Sequence, residues 1–189
     1  MSNTLCWADI KKEFDDSVGY IRQDLRWLQS HDTGLNYTVL LLVGCGCEML
    51  AAIGGDEKRR GEKIFAELLP SGDWQILAKR LYTALRDGLA HGFDTKHLNV
   101  DGLTVQLFIS WRQRSAIELR SMDAGYGVYI GAQPMVDALC GMIDKLETLL
   151  QQGEAARHRF KTAAEYQRTA PLNQNEADAW RRLVHRARK

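Results

Sequence analysis

The segment Tyr37–Ile53, YTVLLLVGCGCEMLAAI, constrains the fold of this chain more than any other. Residues such as Val39, Leu40, Leu42, Val43, Met49 and Leu50 leave it without a polar face. A helix that is hydrophobic all round has to be enclosed by other elements. Asn36 is placed to cap it, and Gly54-Gly55 to end it. The expected architecture is therefore a bundle with this helix at its centre. Gly44 and Gly46 inside it cost helix stability, which close helix packing would explain.

The rest of the chain supplies the enclosing elements. Across residues 5–30, Ile10, Phe14, Val18, Ile21, Leu25 and Leu28 recur at spacings of three and four, the period of an amphipathic helix. It stops near His31-Asp32-Thr33-Gly34. Asp56 is placed to cap a third helix through Leu69, which Pro70 ends. Ser71 or Asp73 caps a fourth, Trp74–His91, expected to bury Ile76, Leu77, Leu81, Leu85 and Leu89.

The period then changes. Leu103–Trp111 alternates apolar and polar residues, as a strand does. Arg112–Ser115 reads as a turn, Ala116–Met122 as a second strand, and Gly125–Gly131 as a short third. Pro134–Gln152 is a fifth helix, with Pro134 in the permitted first turn and an apolar face of Met135, Leu139, Met142, Ile143, Leu146 and Leu150. The expected fold is mainly α: four to five helices, with a small β-hairpin inserted at about residues 100–131 before the last core helix. Residues 1–152 form this body. Residues 153–189 form a basic tail with weaker helical segments at 154–168 and 175–188, in which Trp180, Leu183 and Val184 are placed to dock.

Charge divides the same way. Residues 151–189 hold nine Lys/Arg against four Asp/Glu, so the body is mildly acidic and the tail basic. The plain reading of such a tail is a solvated helix; an anionic partner is the other. The start, MSNTLCWADIKKEF, is mixed and amphipathic rather than leader-like. No apolar run is expected to reach the roughly 18 residues of a membrane span, so no membrane partner is expected. Cys6, Cys45, Cys47 and Cys140 lack the spacing and histidines of a zinc site. They are expected to be small buried residues in a reducing, cytoplasmic setting, and neither metal nor cofactor is expected.

Chemistry concentrates in Leu81–Phe93, LYTALRDGLAHGF. Arg86, Asp87 and His91 fall on the last turn and a half of the fourth helix, within about 8 Å along its axis. A guanidinium is a planar fork of donors suited to phosphate oxygens. An imidazole exchanges a proton near neutral pH. Cleavage of RNA by its own 2′-hydroxyl needs those two services and no metal. Five residues of ideal helix leave the two side chains about 140° apart. Distortion eased by Gly88, or a two-fold pairing of helix ends, would bring them to one phosphorus. The same groups also suit a plain structural role, since a histidine near a helix C-terminus complements the dipole and Arg86 and Asp87 can form ion pairs.

Arg86-Asp87-Gly88-Leu89-Ala90-His91 resembles the R-[polar]-x-x-x-H signature of the HEPN superfamily. The context is similar too: the signature closes a Leu- and Tyr-rich helix, is followed by Gly-Phe, and comes after an apolar helix with a lone acid in Cys47-Glu48-Met49-Leu50. The resemblance covers roughly residues 5–150. It implies a HEPN-like helical bundle that forms a homodimer, and a metal-independent endoribonuclease of toxin or host-defence type. His91 would then be the general acid/base, Arg86 the phosphate stabiliser and Asp87 the orienting group, with a protein partner such as an antitoxin. The runner-up reading is a non-catalytic relative that binds a nucleotide, RNA or a protein. Glu48 is placed to buttress Arg86 from the second helix.

Other candidates carry less. Arg26-Trp27-Leu28-Gln29-Ser30-His31 has the same spacing but lacks the polar second residue. Arg112 and Arg114 at the hairpin tip, and Arg181, Arg182, Arg186, Arg188 and Lys189 in the tail, are candidate RNA phosphate contacts. The Lys58-Arg59-Arg60 run reads as a solvated helix face, and His97 as a loop residue. Phe108, Trp111, Tyr126 and Tyr129 read as sheet packing ahead of base stacking. The chain has no Gly-rich phosphate loop, HExxH or GxSxG. A third reading is an interaction protein whose basic tail docks a partner.

Overall fold

The computed structural model describes residues 4–31, 36–54, 61–92, 98–100, 103–123, 125–168 and 174–187. Within these, the side chains of Asp87, Leu89, His91, Trp180, Arg182 and Leu183 lie outside what is described. So do Asp56, the Lys58-Arg59-Arg60 run, His97, Arg188 and Lys189, and the side chain of Arg186.

The protein is mainly helical. In chain order its elements are α1 (Trp7–Gln29), α2 (Asn36–Ile53), α3 (Gly61–Leu68), α4 (Asp73–Gly92), β1 (Leu98–Val100), β2 (Leu103–Ser110), β3 (Ile117–Met122), β4 (Gly125–Gly131), α5 (Ala132–Gln152), α6 (Glu154–Arg168) and α7 (Gln174–Ala187). The apolar helix α2 touches α1, α3, α4, α5, α6 and β2. Val39, Val43 and Cys47 on it are fully enclosed. Polar ties hold α1 to α5: Arg22 reaches Asp144 at 3.1 Å and Glu147 at 2.8 Å, and Gln29 donates to Asp137 at 2.7 Å.

Four expectations are corrected. By length and composition α2 could cross a bilayer, its 18 residues averaging a mean hydropathy of 1.6, so an apolar run of that length does exist. Its neighbours on several sides make it the core helix of the bundle, which passes the same test. Ile76 and Leu77 are exposed, at 79% and 47%. α4 packs mainly on α2 and α3, so Ala78, Leu81, Tyr82 and Leu85 form its buried side and those two fall outside it. Cys6 and Cys45 are exposed rather than buried, while Cys47 is buried, and burial raises the pKa of its thiol well above the usual range.

The fourth correction concerns the β segment. It is a four-stranded mixed sheet of order β1-β2-β4-β3, not a hairpin of β2 and β3. β2 and β4 run parallel, with Leu107 opposite Val128 and Ile109 opposite Ile130. β3 returns antiparallel on the far side of β4, and β1 flanks β2. Side-chain distribution explains the order. β4 buries Gly127, Val128, Ile130 and Gly131, whereas β3 beyond Ile117 is exposed or half-buried, Leu119 included, and suits an edge. Gly131 is required where the sheet enters α5: a Cβ there would sit 2.3 Å from the Ser115 carbonyl oxygen.

The boundary at residue 153 falls between α5 and α6, yet α6 is part of the packed body. Phe160 is 1% exposed and its ring lies 5.9 Å from that of Phe14. Arg157 donates to the carbonyl oxygens of Leu5 and Leu150.

Candidate functional site

α2, α3 and α4 converge beside the C-terminal half of α4. Glu48 projects from α2, where it is the one carboxylate in a mostly apolar helix. The Tyr82 hydroxyl, from α4, donates to Glu48 Oε1 at 2.7 Å. Arg86, one helical turn beyond Tyr82 and so on the same face, has its Nε 3.9 Å from that oxygen. Burial, reinforced by the bond to Glu48, raises the Tyr82 phenol's pKa well above its ordinary value. It is therefore a fixed donor at neutral pH. Arg86 and Glu48 are about half exposed, at 59% and 47%, so the guanidinium is held from one side and open to solvent on the other.

Gly61, the first residue of α3, makes this convergence possible. A Cβ there would lie 2.6 Å from the Tyr82 hydroxyl and 2.6 Å from Glu48 Cδ. Any side chain would push α3 off the pair or break the hydrogen bond between them.

The same residues border a cavity of about 320 Å³ between α2 and α4. Leu41, Phe65 and Leu85 give it hydrocarbon and aromatic walls. Glu48, Tyr82 and Arg86 are its charged and hydroxyl groups, and Gly44 and Cys45 border it from α2. A small, mostly apolar recess with a few converging polar groups is the usual form of a ligand site.

The helix carrying the signature is α-helical from Asp73 to Gly92. Five residues of regular helix separate the backbone positions of Arg86 and His91 by about 140° around the axis. The structure brings Arg86 and Glu48 together. The side chains of Asp87 and His91 lie outside the described residues.

The other candidates sit elsewhere. Arg112 and Arg114 are exposed on the connection from β2 to β3, and Arg181 on α7 is paired with Asp178 at 2.6 Å. None of them borders the cavity. His31 in the Arg26–His31 segment stacks on Trp27 with ring centroids 4.4 Å apart and contacts the Trp27 carbonyl at 2.8 Å. On the sheet, Phe108 and Tyr129 stack at 4.8 Å, and Arg120 covers Tyr129 at 4.4 Å.

Sequence reasoning missed Tyr82, Gly61 and the cavity. Tyr82 carries a signal, since it precedes Arg86 by four residues. Gly61 carries none, because its role depends on where three helices meet. No family model, curated protein or solved structure matches this chain.

Proposed function

We propose that the protein is a metal-independent endoribonuclease of HEPN type, working as a homodimer with a composite site. One observation carries this reading. Arg86 is solvent-facing yet braced by Glu48, on the helix end that also carries Asp87 and His91. A solvent-facing guanidinium offers its planar fork of donors to charge developing on phosphoryl oxygens.

In this reading the RNA 2′-hydroxyl attacks the adjacent phosphorus as His91 takes its proton. Arg86 stabilises the phosphorane, and the 5′-oxygen leaves with a proton returned by an imidazole. Asp87 orients His91. The products are a 2′,3′-cyclic phosphate and a 5′-hydroxyl. The 140° divergence along a regular helix is the reason for invoking two protomers, whose paired α4 ends supply both groups to one phosphate.

A second reading is a non-catalytic HEPN protein that binds a nucleotide; the cavity beside Arg86 favours it. Product analysis separates the two. Single-stranded RNA incubated with the full chain and excess chelator is expected to yield fragments with 2′,3′-cyclic ends. Intact RNA at high protein concentration would select the second reading.

A further inference from the structure

α2 carries two interior glycines, and packing explains one of them. A Cβ on Gly46 would lie 2.5 Å from Leu139 Cδ2 and 3.2 Å from Ile21 Cδ1, so the missing side chain lets α5 and α1 close on α2. A Cβ on Gly44 would meet nothing within 4 Å among the described residues. Glycine in a helix interior costs about 1 kcal/mol relative to alanine; Gly19 in α1 and Gly141 in α5 are equally open but do not border the cavity. What Gly44 borders is the α2–α4 cavity.

The cavity is chemically lopsided. Its walls are apolar, and the charged group of α2 along it is an acceptor, the Glu48 carboxylate. The Tyr82 proton is directed to Glu48 at 2.7 Å and lies far less favourably for the Gly44 oxygen, at 3.5 Å. A carboxylate offers about four acceptor positions over two oxygens. Beside it stands the exposed cation of Arg86. The matching ligand is flat, apolar on its faces, rich in donors along one edge, and carries an anionic group within reach of Arg86.

Among nucleobases this describes guanine. Its N1–H and N2–H groups are adjacent donors that meet both oxygens of one carboxylate. Adenine and cytosine present one amino group beside an acceptor nitrogen, and uracil presents one N–H between two carbonyls. Unpaired bases are commonly read along such edges by hydrogen bonds. We infer that this cavity is a guanine-nucleotide pocket. Glu48 reads the base, Gly44 leaves the room for it, and Arg86 meets its phosphate. The inference rests on the proposed phosphate-binding role of Arg86 but not on cleavage.

Cys45 borders the same cavity and is exposed, and Cys6, just before α1, is an exposed control. The experiment measures alkylation of both by iodoacetamide in the full chain. Guanosine 5′-monophosphate is expected to slow Cys45 by about tenfold, with adenosine, cytidine and uridine monophosphates weaker by about the same factor. Cys6 stays unaffected. Gly44→Leu, with its helical signal intact, is expected to abolish the protection, and Glu48→Gln to erase the preference for guanine. Equal protection by inorganic phosphate would overturn the inference, as would none by guanosine monophosphate or a Gly44→Leu protein that keeps it. If Gly44→Leu does not fold, the wild-type comparisons decide alone. Protection without RNA cleavage supports the pocket and removes the nuclease; cleavage without protection does the reverse.

Discussion

Arg86 on α4 and Glu48 on α2 stand side by side at the rim of one cavity, with Nε and Oε1 3.9 Å apart and both about half exposed. At that exposure the pair contributes little to stability, typically under about 1 kcal/mol. Arg86→Ala is therefore expected to change unfolding free energy by less than about 1 kcal/mol in urea titration, while RNA or nucleotide binding falls severalfold. A large stability loss with unchanged binding would make the arginine structural.

Tyr82 supplies a pH prediction. Its folded pKa is raised above the unfolded value, first by burial and then by Glu48. The protonated phenol is thus favoured in the folded state. That contribution is fully present below the ordinary tyrosine pKa of about 10 and is lost as pH rises beyond it. An alkaline absorbance titration should show fewer phenols ionising before unfolding than the chain's six tyrosines, with Tyr82 withheld. Tyr82→Phe should leave that early amplitude unchanged. A reduced amplitude would mean that Tyr82 titrates freely.

The two glycines of α2 should respond oppositely. Gly46→Ala forces a methyl against Leu139, which is fully buried, and overpacking of this kind costs about 1–3 kcal/mol. Gly44→Ala meets open space and should stabilise by up to about 1 kcal/mol through helix propensity. Thermal unfolding of the two variants measures both signs.

Phe160 tests whether α6 belongs to the body. Its ring is buried beside Phe14, and truncation of a buried phenylalanine costs about 3–5 kcal/mol. Phe160→Ala should lower stability in that range and raise hydrogen exchange along α6. A change below about 1 kcal/mol would mark α6 as an appendage.

The bundle was legible because helix periodicity is local. Ile10 through Leu28 gave α1 and Met135 through Leu150 gave α5, each to within a few residues. Strand alternation located β2, β3 and β4 but not their pairing. It records which face a residue occupies, and not that β4 would lie between β2 and β3. Ile76 and Leu77 misled because an apolar residue need not be buried. At the site, a lone acid on an apolar helix pointed to Glu48. The contacts of Gly61 depend on three helices arriving together, and no spacing in the sequence encodes that meeting.

The nuclease account is tested most directly by cleavage rates of single-stranded RNA in chelator for the wild-type, Arg86→Ala and His91→Ala proteins at equal folded concentration. Loss of a proton-transfer group lowers rates by about 10²–10⁴-fold. A comparable fall is expected for each variant, with circular dichroism unchanged. Undiminished cleavage by His91→Ala would contradict the account.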